Sequence, residues 1–94
     1  MEKIIISGDV VKSISGRDKG KYFLVIEVTE NYAMITDGRL RKVKTPKKKN
    51  IKHLEVVSSG SLKELSDKIL KGYAVGNENV YRAVRAEKQK IQED

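Results

Sequence analysis

The first half of the chain places its apolar residues in short blocks separated by glycine, proline and charged residues, which predicts β-strands. Three such blocks run from Asp9 to Ile14, from Tyr22 to Val28 and from Tyr32 to Thr36. Two more follow, from Leu40 to Lys44 and from Leu54 to Val57. Their lengths and their mixture of apolar with polar residues are typical of strands with one face toward water.

The block from residue 22 to residue 28 is the most apolar and is predicted to be the central strand. At a side-chain period of two, Leu24, Ile26 and Val28 share one face, and Phe23 and Val25 share the other. A strand that is apolar on both faces belongs in the middle of a fold.

Three connections carry signals of their own. Asp37-Gly38 favours a type I′ hairpin turn, because both central residues of that turn need a positive φ. Thr45 to Asn50 is predicted to be a loop, since Pro46 cannot donate to a ladder and the lysine run repels itself. Ile51 to His53 fits a single helical turn. Five short strands with one turn before the last predict a mainly β fold, a small five-stranded SH3-like barrel.

The apolar spacing becomes helical after residue 58, which predicts a C-terminal helical appendage. Ser61 and Glu64 have the spacing of a capping box, and Gly72 stands where a C-terminal cap belongs. The apolar stripe between them, which we expect to dock onto the barrel, consists of Leu62, Leu65, Ile69 and Leu70.

A second helix is predicted to begin between Asn77 and Asn79 and to run to Gln92. Its thin apolar face consists of Val80, Ala83, Val84, Glu87 and Ile91. The chain thus divides into a barrel, residues 1–58, and a helical extension, residues 59–94. At the start, Ile4 to Ile6 is either a short leading strand or a hydrophobic cover over one end of the barrel.

Charge is concentrated in the predicted barrel. The chain has 20 Lys and Arg against 13 Asp and Glu, a net charge of +7, and residues 1–57 account for +6 of it. Eight Lys or Arg and no acid fall in the fourteen residues from Arg39 to Lys52. A charge run can be a solvated face, but a second basic segment, Gly16 to Lys21, favours a polyanionic partner. Whether the two segments lie on one side of the barrel is left open.

The stretch from Gly8 to Val28 resembles the KOW motif, which occurs in ribosomal proteins and transcription elongation factors that contact RNA. The match lies in three runs: Gly8-Asp-Val-Val, Ser15-Gly-Arg-Asp-Lys-Gly-Lys and Phe23-Leu-Val-Ile. Two glycines in the five residues from Gly16 to Gly20 allow a tight loop. Its basic side chains are suited to binding phosphates rather than to catalysis.

The resemblance extends to about Val57. Glu30 to Gly38 and then Asn50-Ile-Lys-His-Leu-Glu55 are similar to the barrel of the ribosomal large-subunit protein fourteen family of the archaeal and eukaryotic type. This resemblance implies a KOW domain that binds structured RNA, with ribosomal RNA of the large subunit as the partner. The tract from Thr45 to Lys49 is richer in lysine than the family pattern. An integral ribosomal protein and an accessory factor both remain open.

Mainly electrostatic contact with RNA phosphates is therefore expected. The residues predicted to contact RNA are Arg17, Lys19, Gly20, Lys21, Arg39, Arg41, Lys42, Lys44, Lys47, Lys48, Lys49, Lys52 and His53. Tyr22 and Tyr32 are either base-stacking residues or barrel residues. A neighbouring ribosomal protein could meet the C-terminal helices. A cytoplasmic location is expected.

Catalysis is not expected, and neither is a cofactor. There is no cysteine and only one histidine, His53, which rules out the usual zinc sites and leaves no local support for a nucleophilic triad. The glycines around Arg17 lack the spacing of a phosphate-binding P-loop. Asp18 is expected to fix its loop by bonding its own backbone rather than to act as a base.

Two other binding functions compete with ribosomal RNA. A peptide-binding SH3-like adaptor needs an aromatic groove, and the chain has no Trp, one Phe and four scattered Tyr. A KOW module of a transcription elongation factor would be fused to another domain, which these 94 residues do not include. A membrane protein is not expected, because no apolar run approaches the length of a bilayer span. The apolar run within Met1 to Ile6 is also too short for a secretory signal.

Overall fold

Five antiparallel strands form one sheet within residues 4–92, the part of the chain that the computed structural model describes. The strands are β1 Val10–Ser13, β2 Tyr22–Val28, β3 Tyr32–Thr36, β4 Lys47–Asn50 and β5 Leu54–Ser58. Their order is β4-β3-β2-β1-β5, so the prediction that β2 is the central strand is confirmed. The sheet is not closed between β4 and β5 among the described residues. A 3-10 turn, Ile51–His53, connects these two edge strands, as the sequence predicts.

One face of the sheet carries an apolar cluster built by the strands. Phe23 and Val25 pack there with Val11, Ile35 and Leu54, all buried. Ile5 joins this cluster without forming a strand, and its neighbours Ile4 and Ile6 are exposed.

The face assignment within β2 needs one correction. The pairing of β2 with β3 shifts register between Val25 and Glu27, which marks a bulge or irregularity. Because an extra residue reverses the alternation that follows it, Val28 packs on the cluster of Phe23 rather than with Leu24. The predicted shared face of Leu24, Ile26 and Val28 is therefore wrong at Val28.

Two helices cover the other face of the sheet. They are α1 Lys63–Leu70 and α2 Asn77–Gln92, and α2 begins where it is predicted. Val80 and Val84 of α2 are buried against Val10 and Leu24 of the sheet. None of the helices within residues 4–92 is long and apolar enough to cross a membrane.

The contacts of α1 with the sheet are apolar and polar. Leu62, Leu65 and Ile69 pack on the cluster with Val10 and Leu24, as predicted, whereas Leu70 is exposed. The buried hydroxyl of Ser66 donates to the carbonyl oxygen of Val25 over 2.7 Å.

The fourth strand is not where the sequence predicts it. Residues 40–44 form bends and turns, and β4 is Lys47–Asn50, inside the segment predicted to be a loop. Pro46 precedes the strand and so removes no bond from it. The repulsion among the lysines is relieved because Lys47 and Lys49 are both paired with Asp18.

Two local predictions about turns and caps are wrong. Among the described residues no non-glycine residue has a positive φ, so Asp37-Gly38 is not a type I′ turn. Instead, the Asp37 carboxylate accepts from the backbone N–H groups of Arg39 and Arg41 and shapes a longer connection. The capping box is also absent, because the N-cap of α1 is Leu62, which makes no side-chain cap bond.

The C-terminal cap of α1 is confirmed. Gly72 has a φ of 84°, and its N–H donates to the carbonyl oxygen of Ile69. A positive φ at this position is the usual way for a helix to end at glycine.

Candidate nucleic-acid interface

The loop between β1 and β2 is closed tightly by its own backbone. The N–H of Ser13 donates to the Lys21 carbonyl, and the N–H of Gly20 donates to the Ser13 carbonyl. Gly20 has a φ of 89°, a conformation that costs glycine little. Arg17, Lys19 and Lys21 are exposed on this loop, which we call the basic loop, residues 16–21.

Asp18 joins the basic loop to β4. Its carboxylate accepts from Ser13 Oγ at 2.6 Å, Lys49 Nζ at 2.7 Å and Lys47 Nζ at 3.0 Å. Lys49 also donates to the carbonyl oxygen of Ser15 over 2.8 Å. The Asp18 carboxylate thus accepts from side chains of two strands, β1 and β4. The sequence-based expectation that it would bond the backbone of its own loop is wrong. The two basic segments meet here, on one side of the molecule.

Burial alone would raise the pKa of Asp18, but the cations outweigh it. Hydrogen bonds from Lys49, Ser13 and Lys47, together with the charge of Lys49, hold the pKa of Asp18 well below its usual range. The carboxylate is therefore an anion at any pH at which RNA is normally studied. It is a structural counter-ion for β4 and not a poised general base.

Lys49 is a predicted RNA-contacting residue that the structure buries. Its side chain is only 8% exposed, and its ammonium is engaged by Asp18 and Ser15. Lys47 is half-buried against the same carboxylate, with 27% of its side chain exposed. Lys49 thus stabilises the site from within, and Lys47 lies at its surface.

Two open grooves flank the basic loop and share Lys21 and Leu40. The first, here called the loop–helix groove, has a volume of about 470 Å³. Its lining includes Lys19, Lys21 and Leu40 together with Arg85 and Lys88 of α2. Leu40 is 63% exposed on the boundary between the two grooves.

The second groove, here called the loop–strand groove, has a volume of about 300 Å³. Its basic lining consists of Arg17, Lys21, Arg41 and Lys47. The predicted cations Arg17, Lys19, Lys21, Arg41 and Lys47, together with Gly20, thus line one continuous surface.

Arg85 and Lys88 are the residues that sequence reasoning missed. With Tyr81 they follow one another at intervals of four and three residues, so they share a face of α2. That spacing was visible in the sequence. The placement of this face beside Lys19 and Lys21 was not, because it depends on how α2 docks on the sheet.

The other exposed residues predicted to contact RNA lie outside the two grooves. Lys42 and Lys44 are exposed on the connection between β3 and β4, and Lys52 and His53 are exposed on the 3-10 turn. Lys48, also exposed, has its ammonium 4.3 Å from the centre of the Tyr32 ring. The lysines among them spread positive charge over the connection between β3 and β4, strand β4 and the 3-10 turn.

Arg39 is engaged by α2. Its guanidinium donates to the Glu78 carboxylate at 3.1 Å and stacks 3.7 Å from the centre of the Tyr81 ring. The hydrogen bond that the guanidinium donates to Glu78 raises the pKa of Arg39 above its ordinary value. Arg39 thus contributes to fixing α2 and has a carboxylate partner already.

The sequence matches no known family model and no curated protein. Geometry and charge are therefore the grounds on which a function can be assigned.

Proposed function

We propose that the protein binds structured RNA through the basic loop and the grooves beside it. The observation that carries this proposal is the set of hydrogen bonds that the Asp18 carboxylate accepts from β1 and β4. These bonds hold the loop in one shape, while Arg17, Lys19 and Lys21 stay exposed. A preordered set of cations loses less entropy on binding than a flexible one. It suits the phosphate groups of a polyanion.

The acids near these cations already have hydrogen-bond partners within the protein. Asp18 and Asp37 are the carboxylates that line the two grooves. Asp18 is bonded to two lysines, and Asp37 accepts from two backbone N–H groups at 2.9 Å. Both carboxylates have therefore already exchanged hydrogen bonds to water for bonds within the protein before a phosphate approaches.

RNA is favoured over other polyanions by the KOW resemblance of residues 8–28. If the KOW resemblance holds, the five-stranded sheet corresponds to an SH3-like barrel. Support comes from the strand order and from the 3-10 turn that connects β4 to β5. The N–H of Ile51 donates to the Asn31 carbonyl, next to β3, and the N–H of Ile14, next to β1, donates to the His53 carbonyl. Both ends of the turn are thus bonded to residues adjacent to the sheet.

The proposed partner is ribosomal RNA of the large subunit, and the proposed role is that of a cytoplasmic ribosomal or ribosome-associated protein rather than an enzyme. A peptide-binding adaptor has less support. Tyr22, Tyr32 and Tyr81 each have a cation near the ring, so they do not make a bare aromatic groove.

Ultraviolet crosslinking in cells tests the RNA-binding proposal. Tagged protein is recovered under denaturing conditions, and the crosslinked RNA is sequenced. We expect large-subunit ribosomal RNA from the wild type and a strong loss in Arg17→Gln/Lys19→Gln/Lys21→Gln. The matched control removes three exposed charges that line neither groove, at Lys63, Lys68 and Lys71. Absence of crosslinked RNA from the wild type would contradict the proposal.

Sedimentation through a sucrose gradient tests the ribosomal assignment separately. We expect the protein to migrate with large subunits at low salt. Retention at high salt identifies an integral component, and release identifies an accessory factor. Absence from ribosomal fractions at low salt would contradict the assignment to ribosomes.

A further inference from the structure

The loop–helix groove has two basic walls from distant parts of the chain. Lys19 and Lys21 come from the basic loop, and Arg85 and Lys88 come from α2, and all four line this groove. A phosphate chain lying between them would meet cations on both sides. The predicted barrel alone would supply only one wall.

The helical wall is held firmly against the sheet. Val80 is fully buried and Val84 is 5% exposed, both packed with Val10 and Leu24. At the N-terminal end of α2, the side-chain oxygen of Asn77 accepts from the backbone N–H of Val43 over 2.8 Å. The position of Arg85 and Lys88 is therefore set by the fold.

The aromatic rings that line this groove already have cations as neighbours. Lys88 Nζ lies 5.1 Å from the centre of the Tyr22 ring, and Lys12 Nζ lies 5.9 Å from it. The Tyr81 ring is covered by Arg39 at 3.7 Å. Both tyrosines are also half-buried. Stacking of unpaired bases, which needs an open ring face, is disfavoured here.

We propose that α2 is one wall of an RNA-binding groove that takes the sugar-phosphate backbone of helical RNA, with Arg85 and Lys88 contacting phosphates opposite Lys19 and Lys21. This inference rests on the proposed RNA-binding function and adds to it a second element. The C-terminal extension thereby takes part directly in binding.

The test compares two double variants of α2 in binding to a fluorescein-labelled RNA stem-loop. Arg85→Gln/Lys88→Gln removes the two groove cations. Arg82→Gln/Lys90→Gln removes the same charge from the same helix, at side chains that are 78% and 72% exposed and line neither groove. Chemical denaturation and circular dichroism show whether each variant retains the wild-type fold and stability.

We expect the groove variant to lose about two phosphate contacts and the control to lose none. Each contact contributes roughly 0.7 to 0.9 to the slope of log affinity against log salt, so at about 0.1 M salt the groove variant is expected to bind roughly 25- to 60-fold more weakly. We expect the control to stay within about threefold of the wild type, because distant exposed charges are screened. An unstructured RNA strand of the same length should compete poorly with the stem-loop.

The possible outcomes separate this inference from the function on which it rests. If the wild type fails to bind the stem-loop, both are overturned. If the wild type binds and the two double variants weaken equally, RNA binding stands and the groove is refuted. Equal competition by the unstructured strand would also refute a groove for helical RNA.

Discussion

The ammonium of Lys49 lies 2.7 Å from Oδ1 of Asp18, and the two side chains are 8% and 11% exposed. These residues are 31 positions apart in sequence, so their ion pair ties the edge strand β4 to the basic loop. Lys47 adds a second cation to the same carboxylate. One acid thus organises the segments that carry much of the positive charge.

Asp18→Asn is expected to destabilise the protein by about 3 kcal/mol. The change leaves the buried ammonium of Lys49 without its counter-ion, which is the costly way to break an enclosed ion pair. Urea denaturation of the wild type and the variant measures the difference. Asp67→Asn is the matched control, since its pair with Lys63 is exposed and should be worth less than about 0.5 kcal/mol.

Removing both partners of the buried pair is expected to cost less than removing Asp18 alone. Lys49→Met replaces the ammonium with an apolar side chain of similar length, so Asp18→Asn/Lys49→Met leaves no uncompensated charge. The double variant should recover at least about half of the lost stability. If the double variant loses as much unfolding free energy as Asp18→Asn and Lys49→Met lose together, Asp18 and Lys49 are not coupled.

The contribution of Asp18 to stability is expected to depend on pH in the acid range. Its pKa in the folded protein lies below the ordinary value of 3.8, so the stabilisation is complete above that value. It is lost as pH falls toward the lower folded pKa, because protonation then removes the anion. The difference in unfolding free energy between wild type and Asp18→Asn should be constant near neutrality and shrink below about pH 4. A difference that stays unchanged into strong acid would contradict this account.

Gly38→Ala is expected to be more damaging than Gly20→Ala. Both glycines have a positive φ, 79° and 89°, so both variants pay a conformational cost of about 1 kcal/mol. A Cβ at residue 38 would also collide with the carbonyl oxygen of Asn77 at the start of α2, whereas nothing lies within 4 Å at residue 20. We expect an additional loss of about 2 kcal/mol for Gly38→Ala in thermal or urea unfolding. Equal losses would mean that α2 can move away at little cost.

Local apolar patterns predicted much of the fold. The predicted bounds of β2 and β3, the 3-10 turn at Ile51–His53 and the cap at Gly72 agree with the structure. Each depends mainly on residues within the same short segment.

The misplacement of β4 has a long-range cause. The lysine run from 47 to 49 forms a strand because Asp18 supplies a counter-ion from another part of the chain. Leu40 and Val43 made the preceding segment resemble a strand, but Leu40 is exposed. Local reasoning could not detect either the compensation or the exposure.

The sequence predicted only part of the candidate site, again because some of its contacts are long-range. The cations of the basic loop were found from glycine spacing and charge, whereas the burial of Lys49 and the approach of Lys88 depend on tertiary packing. The sequence predicted that the positive charge is concentrated in residues 1–57. Docking of α2 on the sheet places Arg85 and Lys88 in the same groove as Lys19 and Lys21.

The most direct test of the central proposal is the salt dependence of binding between the wild-type protein and a labelled RNA stem-loop, measured by fluorescence anisotropy. With five or more phosphate contacts at roughly 0.7 to 0.9 each, log affinity should fall by about 3.5 or more per decade of salt. A slope shallower than about 1, or no saturable binding at low salt, would contradict the proposal that the basic loop and its grooves bind RNA.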